Sequence, residues 1–197
     1  MATSSTSTAA SRPGFEMSHA VVVMGVSGCG KTALASGLAG QFGCRVVDAD
    51  DLHAPEAVAK MRAGQSLVDS DRFPWLDRVG AVLSTAAAQR KDILVACSAL
   101  RRVYRDRLRA ACPEVRFFFL DGSREVIAAR MAQRRDHYMP TSLLDSQLRT
   151  LERPGADEPD VLRLDIDQPL SVMLQKACTA LSTSGSAATE PPLEPRA

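Results

Sequence analysis

Residues 25–32 read G-V-S-G-C-G-K-T and follow directly on the β-branched run A-V-V-V-M at 20–24. This matches G-x-x-x-x-G-K-[ST] in full, placed between a predicted strand and a predicted helix. Glycines let such a loop curl until successive N–H groups face an anion, and the following helix adds its partial positive N-terminus. Lys31 is placed to reach the β- and γ-phosphates, and the Thr32 hydroxyl to ligate magnesium. Gly25, Val26, Ser27, Gly28, Cys29, Gly30, Lys31 and Thr32 are therefore expected to hold a nucleoside triphosphate. The competing account is a glycine-rich turn that binds nothing, and the strand–loop–helix setting weighs against it.

The rest of the chain must supply a scaffold for that loop. At 197 residues, with 45% hydrophobic and 24% charged residues, it has the size and composition of one globular domain. Residues 1–17 and 182–197, rich in Ser, Thr, Ala and Pro, are expected to be disordered tails around a domain at 18–181. Residues 1–17 lack the apolar segment of a secretory signal. A net charge of +1 is no footprint for nucleic acid, and no apolar run is long enough to span a membrane. The 5 cysteines share no C-x-x-C spacing, which points to a reducing, cytoplasmic setting.

Within 18–181, short apolar runs at 20–24, 45–47, 93–97, 115–120 and 161–166 predict strands. Helical stretches are expected at 31–41, 54–63, 75–90, 100–111, 123–135, 142–152 and 169–181. Continuous rather than alternating hydrophobicity in the strands means a sheet buried on both faces. The expectation is a three-layer α/β domain around a five-stranded parallel sheet.

Which class of phosphate-loop protein is it? The chain contains no Asn, so it has no N-K-x-D guanine-reading motif. The apolar run I-L-V-A-C-S ends without the acidic residue that motor and AAA-type ATPases place on a Walker-B strand. A small-molecule kinase needs neither. Its acceptor-binding carboxylates can sit on another strand, and V-V-D-A-D-D-L-H at 46–53 offers them. Asp48 and Asp50 fall on one face if the strand continues, at the sheet end where ligands of open α/β folds bind. There Asp48 would order the magnesium through water, and Asp50 would accept from the acceptor hydroxyl. The alternative is a solvated turn, with Asp51 as cap of the next helix. Lys60 and Arg72, in K-M-R-A-G-Q-S-L-V-D-S-D-R-F-P-W-L, suit an anionic substrate, the Arg fork matching a carboxylate. Surface ion pairing with Asp69 and Asp71 explains them equally well on spacing alone.

Together with the loop, D-A-D-D-L-H, K-M-x-x-G, L-x-D-x-D-R-x-P-W-L, C-S-A-L-R-R-x-Y-R-D, S-Q-L-x-T-L-E and P-G-A-D-E occur in this order from about Val21 to Leu170. In this the chain resembles gluconokinases of the bacterial phosphate-loop type, related in fold to shikimate and adenylate kinases. The resemblance implies a P-loop NTPase-type domain with a small helical lid. It implies ATP- and magnesium-dependent phosphorylation of D-gluconate to 6-phospho-D-gluconate, by a homodimer. It places Asp50, His53, Lys60, Arg72 and His137 near the acceptor. By analogy with shikimate kinase, Arg72 takes the gluconate carboxylate. The chain departs from the family pattern at Ala49, Ala54, Ala57 and Asp136. Ala57 stands where the family has Asn, and would delete a hydrogen-bonding side chain if that Asn touches substrate.

Arg130 and Arg134, four apart on one helix, repel unless an anion lies between them. In this fold class the segment closes over the phosphates, so both are assigned to the transferring group, against the alternative of a solvated face. Arg101, Arg105 and Arg109 read as a charged surface helix, with Arg101, nearest the strand end, as the exception assigned to the substrate pocket. Cys97 is expected to be a packed thiol. A kinase for another polyol acid, and an ATP-binding module that transfers nothing, are the rival readings.

Overall fold

The computed structural model describes residues 20–132 and 141–183. Five strands form one parallel sheet: β1 (Ala20–Met24), β2 (Arg45–Asp48), β3 (Ile93–Ala96), β4 (Arg116–Asp121) and β5 (Val161–Asp165), in the order β2-β3-β1-β4-β5. β1 lies in the middle, with Val22 opposite Val95 on one side and Phe117 on the other. All five of its residues are buried, as the unbroken run A-V-V-V-M requires of a strand covered on both faces.

Among the described residues seven α-helices cover the sheet: α1 (Lys31–Phe42), α2 (Pro55–Arg62), α3 (Asp69–Ala88), α4 (Arg102–Ala111), α5 (Arg124–Ala132), α6 (Thr141–Thr150) and α7 (Leu170–Thr183). The period of two sorts the core into two layers. Ala20, Val22 and Met24 pack with Trp75, Leu76 and Leu83 of α3 and Leu108 of α4. Val21 and Val23 pack with Leu34 and Leu38 of α1, Ile127 of α5, Leu144 of α6 and Met173 of α7. The expected three-layer α/β domain with a five-stranded parallel sheet is what forms.

One boundary differs by a full turn and more. α3 begins at Asp69, six residues before the expected Trp75, and runs through Pro74. Asp71 makes the early start possible: its Oδ2 accepts from the Val68 N–H at 3.1 Å, satisfying a donor at the helix entrance. Pro74 forfeits only one intrahelical bond close to that end.

Candidate active site

The phosphate loop leaves β1 at the centre of the sheet, and its conformation demands its glycines. Gly25 has φ 137° and Gly28 φ 83°, a region that L-side chains rarely enter. A Cβ at Gly25 would also lie 2.8 Å from the Leu120 carbonyl oxygen, and one at Gly28 2.4 Å from Met131 Cγ. The loop amides divide into two sets. Gly25 N–H donates to the Ser98 carbonyl (3.3 Å), Cys29 N–H to the Val26 carbonyl (3.4 Å), and Ser27 N–H to Gln147 Oε1 (2.6 Å). The amides of Val26, Gly28, Gly30, Lys31 and Thr32 have no acceptor among the described residues. A row of unpaired donors at the start of a helix is a cradle for a polyphosphate. Lys31 Nζ donates to the Gly25 and Val26 carbonyls, each at 3.1 Å, so the ammonium lies across the loop it is meant to serve.

The acidic turn lies beyond β2. Asp50 is not on the strand: β2 ends at Asp48, and Ala49–Leu52 form a 3₁₀ turn. Asp48 caps that turn, its Oδ1 accepting from the Asp50 N–H at 3.0 Å. Asp51 lies inside this turn and does not cap α2, which begins at Pro55 with Ala54 at its N-cap and no side-chain cap. Partial desolvation and then the Asp48 charge raise the pKa of Asp50, against the pull of Lys31. The Lys31 charge is thus near enough to act on Asp50, which sets the loop and the acidic turn close to each other.

Trp75 fixes this turn from α3. Its indole N–H donates to the Ala49 carbonyl at 2.6 Å, and its ring stacks on His53, centroids 4.4 Å apart. His53 Nδ1 is buried without a hydrogen-bond partner among the described residues. Burial lowers the His53 pKa, so the ring is neutral at pH 7.

The arginine cluster is held by a residue that sequence reasoning did not single out. Arg72 Nη1 donates to the Tyr104 hydroxyl at 3.1 Å, and that hydroxyl donates to Asp69 Oδ1 at 2.6 Å. Arg101 Nη1 donates to Asp69 Oδ2 at 2.6 Å, and its Nε lies 3.3 Å from Glu152 Oε1. Both guanidinium carbons lie over the Tyr104 ring, at 5.8 and 5.5 Å from its centroid. Arg72 and Arg101 are thus brought together around Tyr104, with Arg101 paired to Asp69 and Glu152. Lys60 is drawn away: its Nζ sits 2.6 Å from Asp71 Oδ1, the surface pairing that spacing alone left open.

Arg130 reaches the phosphate loop, but its guanidinium is committed to carbonyls, Nη1 to Cys29 at 3.3 Å and Nη2 to Ile166. Arg134 and His137 lie outside the described residues. The charged surface helix is a correction at Arg105, which is 1% exposed. It donates through Nε and Nη2 to Glu158 at 2.7 and 2.5 Å, and through Nη1 to the carbonyls of Ala99, Leu100 and Glu152. It buttresses the loop that carries Arg101. Cys97 is the packed thiol expected, buried and pushed up to about 12 by desolvation. Tyr104, Asp69 and Gln147 stand in the quoted patterns R-R-x-Y-R-D, L-x-D-x-D-R and S-Q-L-x-T-L-E; nothing in their spacing told what they touch.

Similarity to known proteins agrees with this geometry. The model of a family described as an AAA domain matches residues 21–154. β3 ends at Ala96, and Cys97 and Ser98, which follow it, bring no acid. The thermosensitive gluconokinase of Escherichia coli K12 is 41% identical over 160 residues, 81% of this chain and 86% of that protein. The thermoresistant gluconokinase of the same organism is 44% identical over 152 residues, 77% and 87% of the two chains. Among solved structures, a gluconokinase from Sinorhizobium meliloti 1021 superposes with a TM-score of 0.77 at 42% identity, covering 87% of this chain and 94% of its own. A structure described as a sugar kinase from Janibacter sp. HTCC2649 gives 0.79 at 44%, covering 88% and 99%. With sequence and fold agreeing along most of each chain, the protein belongs to the gluconokinase family.

Proposed function

We propose that the protein transfers the γ-phosphoryl group of ATP to the 6-hydroxyl of D-gluconate in one in-line step, giving 6-phospho-D-gluconate. The observation that carries this reading is the row of loop amides without an acceptor among the described residues, with the Lys31 ammonium on the same loop, its charge acting on Asp50, and Arg72 and Arg101 gathered over Tyr104. The amides and Lys31 bind the β- and γ-phosphates and take up charge that grows in the transition state. Lys31 leaves the Gly25 and Val26 carbonyls to do so. Asp50 accepts a hydrogen bond from the acceptor hydroxyl and orients it; in a loose transition state little early deprotonation is needed. His53 offers an unpartnered Nδ1 to a substrate hydroxyl, and Arg72 takes the carboxylate. Lys60 acts here through Asp71, and Arg130 by holding the loop carbonyl of Cys29.

Among the described residues no group of three His, Cys, Asp or Glu side chains is gathered to hold a metal alone. The Thr32 hydroxyl and the Asp48 carboxylate are hard oxygen donors, a set that fits magnesium brought in with the nucleotide phosphates. Thr32 would ligate it directly and Asp48 through water, and the ion would neutralise phosphate charge. The working unit in this reading is a cytoplasmic homodimer, which light scattering on the full chain tests.

The test of the activity is ADP release from MgATP against a panel of sugar acids, with 6-phosphogluconate detected by its NADP-linked dehydrogenase. Turnover with D-gluconate far above other acids is expected. Turnover only on another acid would move the specificity, with Ala57 the first position to examine. ATP binding with silence on every acid would overturn the transferase reading.

A further inference from the structure

Three consecutive loop residues are each touched by one residue from α5 or α6. Ser27 meets Gln147 of α6 through two hydrogen bonds, N–H to Oε1 at 2.6 Å and Nε2 to the Ser27 hydroxyl oxygen at 3.1 Å. Gly28 is covered by Met131 of α5, and the Cys29 carbonyl accepts from Arg130. The two helices are tied to each other by Arg124 and Asp145, at 2.6 and 3.2 Å. Of these contacts only Gln147 grips a loop amide. That amide belongs to the set paired inside the protein, at 25, 27 and 29, not to the set at 26, 28 and 30–32 that has no acceptor among the described residues.

We propose that Gln147 is a positioning residue for phosphoryl transfer: its carboxamide pins the Ser27 peptide to α6, so that the neighbouring amides stay aimed at the nucleotide. A loop of this kind gains its anion affinity from donors aligned before the anion arrives. Gly25, Gly28 and Gly30 make the backbone pliable, so alignment must be imposed from outside. The Ser98 carbonyl holds the loop at Gly25, and Gln147 holds it two residues later through a side chain that satisfies both polar groups of Ser27. Because Gln147 sits on α6, the same bond ties the setting of the loop to the seating of α5 and α6.

The inference rests on Gly25–Thr32 being the nucleotide site, and the experiment separates the two. Calorimetry on the full chain measures the Kd for MgATP without acceptor, alongside steady-state KM for each substrate and the melting temperature. Gln147→Met keeps the side-chain volume and removes both polar atoms. Its Kd and KM for ATP are expected to rise on the order of tenfold, kcat to fall, and KM for gluconate and Tm to stay near wild type. Unchanged or tighter ATP binding would overturn the proposal, since a side chain that competes with phosphate would tighten it when removed. Ser27→Ala keeps the amide contact and loses only the hydroxyl, so a loss of about two- to threefold is expected. The double variant should match Gln147→Met alone; additive losses would show two independent effects and overturn the coupling. Lys31→Ala is the control: wild-type affinity for MgATP there would sink the nucleotide site itself.

Discussion

Tyr104 and Asp69 meet hydroxyl to carboxylate at 2.6 Å, and this contact sets the geometry of two arginines, Arg72 on α3 and Arg101 just ahead of α4. Asp69 also binds Arg101, and the Tyr104 oxygen accepts from Arg72. The hydrogen bonds from Tyr104 and Arg101 hold the Asp69 pKa below the usual carboxylate range, so the cluster stays ionised at neutral pH. Tyr104→Phe leaves the ring under both guanidinium groups and removes the oxygen that orients Arg72. KM for gluconate should rise roughly tenfold, from loss of a charged hydrogen bond, with KM for ATP unchanged. Steady-state kinetics with each substrate varied in turn checks this, and equal changes in both constants would remove Arg72 from the acceptor pocket.

Lys31→Ala should lower kcat by about 10²–10³ or more, as expected when a donor to developing charge is deleted. Among the described residues its hydrogen bonds go to loop carbonyls alone, so the melting temperature should hold. Turnover within tenfold of wild type would refute the assignment.

Asp50 predicts the acid limb of the pH–rate profile. Its pKa is raised, so the carboxylate protonates at a higher pH than an ordinary Asp, near ~3.9. Activity should therefore fall as pH drops through a value above that range. Asp50→Asn should lower kcat and abolish the limb. A limb that persists in Asp50→Asn but vanishes in His53→Gln would assign the titration to His53, whose own pKa is lowered.

Glu158 and Arg105 form a buried pair, with side chains 2% and 1% exposed. Glu158→Ala would leave the Arg105 charge uncompensated and should cost about 3–5 kcal/mol. The Arg105 hydrogen bonds hold the Glu158 pKa at about 2, against an ordinary 4.5. A depressed carboxylate stabilises above its unfolded pKa, so this contribution is full above pH 4.5 and is lost as pH falls toward 2. Chemical denaturation across pH 2–6 measures it, and a Glu158→Ala variant that keeps the wild-type slope in that window would disprove the assignment.

The sheet was legible because its strands are continuous apolar runs bounded by Gly, Asp and Pro, and all five appear within a residue or two of expectation. The phosphate loop was legible because its chemistry fixes both residue types and spacing. The start of α3 was not: Pro74 reads as a boundary, and only the reach of Asp71 back to Val68 shows that the helix begins earlier. Periodicity also misplaced Arg105, since an i, i+4 row of arginines looks solvated unless its partner, 53 residues away in sequence, is known. Lys60 illustrates the converse, a cation whose nearest carboxylate was visible in the same segment and claims it. Gln147 lies 120 residues from Ser27, beyond any local pattern. Ala57 is buried in α2, so the departure from the family pattern there faces the protein interior with a methyl group.

The chain has a single tryptophan, and it is Trp75. Its indole touches both His53 and the peptide that leads into Asp50, so the protein's tryptophan emission comes wholly from the wall of the proposed acceptor site. A polyol settling against that wall should alter the surroundings of the one tryptophan. Occupancy can therefore be followed in unlabelled protein, before any phosphate has moved.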